Sequence, residues 1–249
     1  MGTAHRVSDS LLWLWPSLSA QYLCTMRAVR ATHSMRFKLA LFDLDGTLKR
    51  ERDPYIYLHK GLGTWDQTHS FFQLGMDGKI PYAEWLRRDA ELWAGQPVEH
   101  ILTLLRANPY MPGAPEVLRI LKRAGVTVAL ISTGLTLHTD LVRAEFGLDY
   151  AFANEILVAD GRLTGGSVER VPEGGKGQIA DRLMADLEVD SSALLAVGDS
   201  TSDIALFERA GLSVAVNPSS EAVRSAADIV LDEPDLRPLL SWLQDGDAQ

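Results

Sequence analysis

Apolar residues fall into two kinds of run along this chain. Strand-length stretches dominated by apolar residues occur at Phe37 to Phe42, Val126 to Ile131, Ala193 to Val197, Ser213 to Val216 and Asp228 to Leu231. Elsewhere apolar residues recur every three or four positions, the spacing of amphipathic helices. Such stretches are Glu116 to Ala124, Thr136 to Phe146, Lys176 to Leu187, Ile204 to Ala210 and Leu236 to Leu243. Gly125 and Gly147 stand where two of these helices should stop. Phe152 to Val158 and Arg162 to Val168 flank Asp160-Gly161, a hairpin signal. Unbroken apolar strands alternating with helices predict an α/β fold with a doubly wound, mostly parallel sheet covered on both faces.

The alternation is interrupted once. Residues 49–111 hold no strand-like run, but show helical spacing at 55–58, 65–74, 82–93 and 98–105, broken by glycines and Pro97. This predicts a helical cap inserted directly after the first strand, with Pro109, Pro112 and Pro115 around Gly113 marking the return. The expected organisation is a core of residues 36–48 and 112–249, a cap of 49–111 and an N-terminal extension of 1–35. In that extension Leu11 to Trp15 is short, follows Asp9 and precedes no small-x-small cleavage site. Met26 or Met35 is the expected start, with the preceding stretch a misassigned extension or a loosely docked tail.

Composition narrows the function classes. Of 249 residues 46% are hydrophobic and 23% charged, enough for a sizeable core. A net charge of -9 argues against nucleic acid and anionic membranes as partners. It does not exclude a small phosphorylated metabolite, because a bound cation and a few Lys or Arg can reverse the sign within one cleft. No apolar run reaches the ~18 residues of a membrane span. Cys24 is the single cysteine, so neither an intrachain disulfide nor a cysteine metal site is expected. A cytoplasmic monomer or homodimer is the corresponding expectation.

The chemistry-bearing residues gather at one edge of the predicted sheet. The first strand ends in Asp43-Leu44-Asp45-Gly46-Thr47, and ligands of open α/β sheets bind beyond the carboxyl ends of the strands. The strand at 126–131 ends in Ser132-Thr133-Gly134, and the helix near Lys176 opens with Gly174-Gly175-Lys176-Gly177. The strand at 193–197 ends in Gly198-Asp199-Ser200-Thr201-Ser202-Asp203. Each has a bland alternative as a turn, a helix cap or a solvated lysine. Their joint occurrence in four successive units is harder to explain that way. Gly175-Lys176 is no phosphate-binding P-loop, since Arg170 and Gly177 occupy its defining positions. Gly198 to Ser202 lacks the final glycine of a hydrolase nucleophile elbow.

This order of motifs resembles the haloacid dehalogenase superfamily of phosphohydrolases. The insertion after the first motif, the stretch from Gly147 to Asn154 and the stretch from Asp160 to Gly165 are similar to its phosphoserine phosphatase-like group. The resemblance spans about Phe37 to Leu243. It implies a phosphomonoesterase in which Asp43 is the nucleophile and forms an aspartyl-phosphate. It implies Asp45 as acid for the leaving alcohol and base for the hydrolytic water. Mg²⁺ would be held by Asp43, Asp199 and the Asp45 carbonyl, with Asp203 supporting through water. Ser132 would hydrogen-bond a phosphoryl oxygen, with Thr133, Gly134 and Ser202 nearby, and Lys176 would offset the shared negative charge.

The chain departs from the group where the substrate is chosen. An acidic residue is usual after the first motif and an Arg on a cap helix, whereas an ungapped reading places Arg52 and Asp89 there. Glu51, Arg87 and Arg88 lie close enough that a shifted register could restore the pairing. The other reading, that the substrate is not phosphoserine, is preferred here. Thr133 replaces a customary Gly, and Ser202 a frequent Asn. The aromatics Tyr55, Tyr57, Trp65, Phe71, Phe72, Tyr82, Trp85 and Trp93 read mostly as cap packing, with one or two available to a ring-bearing or apolar leaving group. His59 and His69 read as surface residues. A phosphotransferase and a non-catalytic regulatory or binding protein are the rival functions.

Overall fold

The computed structural model describes residues 35–172 and 174–245. The stretch before Met35, Cys24 included, lies outside the described residues. Seven strands form one sheet: β1 (Leu39–Phe42), β2 (Thr127–Leu135), β3 (Tyr150–Ala159), β4 (Arg162–Val168), β5 (Leu194–Gly198), β6 (Leu212–Val216) and β7 (Ile229–Leu231). Their order is β4-β3-β2-β1-β5-β6-β7, and every neighbouring pair is parallel except the β3–β4 hairpin. The hairpin turns through Asp160 and Gly161, both at positive φ (48 and 71°), as a tight Asp-Gly turn requires.

The doubly wound reading therefore holds, and its geometry follows from alternation along the strands. Ala40 and Phe42 pack on one face with Val117, Leu118 and Leu121 of α5 (Ala114–Arg123) and Leu239 of α10 (Arg237–Asp245). Leu39 and Leu41 face the other layer, with Ala180 and Leu183 of α7 (Lys176–Asp186) and Phe207 of α8 (Ile204–Phe207). All four β1 residues are fully buried, so the strand reads as apolar throughout despite its two-residue alternation. Because β2 and β5 flank β1 on opposite sides, the strand order reverses there and opens a crevice beyond the carboxyl ends.

Between β1 and α5 lie α1 (Pro54–Leu62), a 3-10 turn (Trp65–Ser70), α2 (Phe72–Met76), α3 (Tyr82–Leu92) and α4 (Val98–Ala107). The Asp53 carboxylate caps α1 by accepting from the Tyr55 and Ile56 amides at 2.9 Å each, with Pro54 in the first turn. The insertion has its own apolar centre of Leu58, Leu86, Ala90, Trp93, Ile101 and Leu105, continued by Leu135, Ile156 and Leu163 from the sheet.

Four local details differ from the pattern. β2 continues through Ser132-Thr133-Gly134 instead of ending before them, and its register against β3 shifts between Ile131 and Leu135. The segment at 65–74 is split at Phe71 into a 3-10 turn and a short helix, in which Gly75 sits against the Trp85 indole. Helix α9 (Glu221–Ala226), capped by Ser220, is too short to show a helical period. His59 is not on the surface: it is buried beside Asp89 and Trp93. His69 is exposed as expected.

Candidate active site

Asp43 is the first residue beyond β1, and its amide donates to the Val197 carbonyl of β5 at 3.0 Å. The chain then leaves the sheet through Gly46 at φ +93°, a conformation open to glycine. A Cβ there would also stand 2.4 Å from Asp199 Oδ2, so the glycine lets the first motif close against the third. Thr47, which the motif reading left without a role, donates to Asp199 Oδ1 at 3.2 Å.

Lys176, first residue of α7, is fully buried and reaches both Asp43 Oδ1 at 2.6 Å and Asp203 Oδ1 at 2.7 Å. Asp203 Oδ2 accepts from the amides of Asp199 and Ser200, at 3.0 Å each, and from the Ser200 hydroxyl. Asp203 therefore positions the lysine and the loop bearing Asp199. Arg52 approaches from the insertion side, with Nε 3.5 Å from Asp199 Oδ2 and a further bond to the Asn217 carbonyl.

One ammonium thus serves a cluster of three buried carboxylates, Asp43, Asp199 and Asp203, with oxygens within 4.8 Å of one another. The electrostatics follow. Burial raises the Asp43 carboxyl; Lys176 opposes this, while Asp203 and Asp45 reinforce it. Burial also raises Asp199, aided by repulsion from Asp43 and Asp203 and opposed by Arg52 and Lys176. Burial pulls Lys176 downward, but Asp203 and Asp43 outweigh it and the net shift is upward. Excess negative charge, oxygen-only donors and the cradle over Gly46 fit a hard divalent cation.

Asp45 lies beside this cluster without joining it. Ser132 Oγ is 3.4 Å from Asp45 Oδ2 and accepts from the Gly134 amide at 2.8 Å. A Cβ on Gly134 would come within 2.6 Å of the same Asp45 oxygen. His138 of α6 (Thr136–Phe146) backs Asp45, with Nδ1 2.9 Å from Oδ1. The approach is too oblique for a hydrogen bond, and neither ring nitrogen has another partner among the described residues.

A cavity of about 470 Å³ extends from these residues into the insertion. The predicted residues Asp43, Asp45, Arg52, Asp89, Ser132, Thr133, Gly134, Asp199 and Ser202 all line it, while Lys176 and Asp203 lie behind its floor. Arg87 and Arg88 do not line it, so no shifted pairing brings them in. Both are bound to Glu84, and Arg87 also to Glu91. Of the insertion aromatics Tyr55, Trp65, Phe72, Tyr82 and Trp85 line the cavity. Tyr57, Phe71 and Trp93 do not.

One clamp was not visible as a motif. The Thr133 carbonyl accepts from the Tyr82 hydroxyl at 2.6 Å, the Asn154 amide at 2.8 Å and the Tyr55 hydroxyl at 3.1 Å. Three donors from α1, α3 and β3 thereby tie the insertion to the strand that carries Ser132. Burial is the main reason the Tyr82 hydroxyl is pushed up to about 12.

Fold and site together give an open, mostly parallel sheet with a lysine-bridged cluster of buried carboxylates at its switch point. Residues 40–208 match the family of haloacid dehalogenase-like hydrolases. The chain is 31% identical over 208 residues to a phosphoserine phosphatase of Methanocaldococcus jannaschii, covering 83% of this chain and 98% of that protein. It is 34% identical over 215 residues to one of Archaeoglobus fulgidus, covering 86% of this chain and 62% of that protein. A solved structure, a phospho-aspartyl intermediate analogue of phosphoserine phosphatase, matches with a TM-score of 0.70 at 31% identity, covering 83% and 98% of the two chains. The chain belongs to the haloacid dehalogenase-like hydrolase family, within its phosphoserine phosphatase-like group of phosphatases.

Proposed function

We propose that this chain hydrolyses the phosphomonoester of a small metabolite in two steps through Asp43, with Mg²⁺ as its cofactor. The observation carrying this reading is the bond of 2.6 Å from Lys176 to Asp43, at the strand tip that faces the cavity beside Asp45.

In the first step an Asp43 carboxylate oxygen attacks phosphorus and the bond to the leaving oxygen breaks. Asp45 delivers its proton to that oxygen, so the alcohol departs neutral. In the second step water attacks the aspartyl-phosphate and gives its proton to Asp45. The phosphorus bond to Asp43 breaks and phosphate is released. Splitting the reaction replaces one difficult displacement by two easier ones. Ser132, fixed by the Gly134 amide, offers its hydroxyl to a phosphoryl oxygen. Lys176 stays charged between its two carboxylates and offsets negative charge during both steps. Asp43, Asp199 and the Asp45 carbonyl would hold the cation, with Asp203 behind them. When bound, Mg²⁺ would neutralise the phosphoryl oxygens and the excess carboxylate charge. The helical insertion would act as a cap that covers the cleft and selects the alcohol.

The test is turnover of p-nitrophenyl phosphate by the purified chain. Activity should require Mg²⁺ and fall at least ~100-fold with a chelator, returning when the ion is restored. No turnover across a broad panel of phosphate esters would overturn the hydrolase reading. Faster substrate loss with added alcohols, without a matching rise in free phosphate, would favour phosphotransfer.

A further inference from the structure

The insertion half of the cavity carries charge of one sign. His59 Nδ1 is held between the Thr64 hydroxyl at 2.7 Å and the Trp93 indole N–H at 3.1 Å. The other ring nitrogen, Nε2, is hydrogen-bonded to Asp89 Oδ1 at 3.0 Å. This contact fixes the orientation of the Asp89 carboxylate. Asp89 Oδ2 accepts no hydrogen bond among the described residues, although the residue is 3% exposed and lines the cavity. Burial raises the Asp89 carboxyl, and a nearby cation would relieve that cost.

No arginine or lysine among the described residues answers this carboxylate. Arg87 and Arg88 are taken by Glu84 and Glu91 away from the cavity. Arg52 is turned to the core end, against Asp199 and the Asn217 carbonyl. The second acid of the compartment, Asp53, is committed to capping α1.

The walls are aromatic. Trp65 and Phe72 meet edge to face at 5.1 Å, and Phe72 and Trp85 at 5.5 Å. Tyr55 and Tyr82 complete the lining, with their hydroxyls held on the Thr133 carbonyl. That anchoring leaves ring surface as what the two tyrosines offer. Aromatic faces around an unanswered carboxylate attract an organic cation through quadrupole and charge together. A carboxylate in the same space would meet Asp89 with no guanidinium to receive it.

We infer that the leaving alcohol of the substrate bears an ammonium group, alkylated or embedded in an apolar body, and lacks a carboxylate. This proposal rests on the phosphomonoesterase reading above. It makes Asp89 and the rings of Trp65, Phe72 and Trp85 the residues that select the substrate.

The experiment compares kcat/KM for phosphocholine, its uncharged isostere tert-butylethyl phosphate, phosphoserine and p-nitrophenyl phosphate, all with Mg²⁺. Phosphocholine should exceed both the isostere and phosphoserine by about tenfold, as expected of a desolvated cation–π site. Asp89→Asn and Trp85→Leu should each drive the phosphocholine-to-isostere ratio toward one. Each ratio is taken within one preparation, so partial misfolding of a variant does not alter it. An isostere turned over as well as phosphocholine, phosphoserine as the best ester, or a ratio unchanged in both variants would overturn the inference. Turnover of p-nitrophenyl phosphate alone would overturn the inference and leave the hydrolase reading standing. No turnover of any ester would remove both.

Discussion

The floor of the cavity and its insertion walls solve different problems with different materials. On the floor Asp43, Asp199 and Asp203 crowd around Lys176, held by strand ends, a helix start and a glycine turn that tolerates no side chain. In the insertion the carboxylate of Asp89 shares the cavity with aromatic rings and is oriented by His59. The floor has more negative charge than its own cations balance, which suits a metal and a phosphoryl group. The walls have a single unanswered charge on apolar surface, which suits discrimination among alcohols. On the proposed function, reaction and selectivity would reside in separate parts of one cavity, and each should be separately breakable.

The largest effect should come from the floor. Asp43→Asn removes the nucleophile and is expected to lower kcat by at least ~1000-fold with every ester, leaving the folded circular dichroism spectrum intact. A loss confined to one class of ester would blur the division, because it would place selectivity on the floor.

A pH-dependent stability change comes next. In the unfolded chain carboxyls ionise near pH ~4. In the metal-free fold Asp43 is raised to about 7 and Asp199 to about 8. The folded state therefore binds more protons between these limits, and stability falls as pH rises through them. Thermal denaturation in chelator should show Tm declining from pH 4 to 8, by several degrees (roughly) for a chain of this size. Saturating Mg²⁺ should flatten that decline, since a cation bound to the carboxylates favours their ionised forms. A decline of equal slope in Mg²⁺ would contradict the assignment of the cation to this cluster.

The smallest effect should come from the joint between the two regions. Tyr82→Phe deletes the shortest of three donors to the Thr133 carbonyl while Asn154 and Tyr55 remain. About 1 kcal/mol of stability should be lost. A kcat/KM reduced several-fold for all esters alike would show that the clamp sets the position of Ser132 and not the choice of alcohol.

What was legible in the sequence follows the same division. Asp43, Asp45, Ser132, Lys176 and Asp199 stand at the ends of regular elements, and the fold brings such ends to one edge. Local pattern therefore carried both the sheet and the floor. Arg52 and Asp89, singled out because an ungapped reading puts them where the group chooses its substrate, both line the cavity. The partners of these residues were not legible. His59 was read as exposed because one turn of helix says nothing about Trp93, which packs on it from 34 residues away. His138 gave no signal at all, since its approach to Asp45 depends on α6 packing behind the first motif. The Thr133 clamp escaped for a related reason, its acceptor being a backbone carbonyl that has no letter in a sequence. Five aromatics on the cavity exceed the one or two expected, because helical periodicity places a ring on a face without saying whether the face closes.

The central claim is that the phosphoryl group passes through Asp43. The most direct measurement is acid quenching during turnover of p-nitrophenyl phosphate, whose leaving group needs no proton from Asp45, followed by peptide mass spectrometry, using Asp45→Asn to slow the second step. The account predicts the added mass of one phosphoryl group on the peptide bearing Asp43, absent from Asp43→Asn and lost when the ester is withheld. Turnover with no phosphorylated peptide, or with the phosphoryl group on another residue, would contradict it.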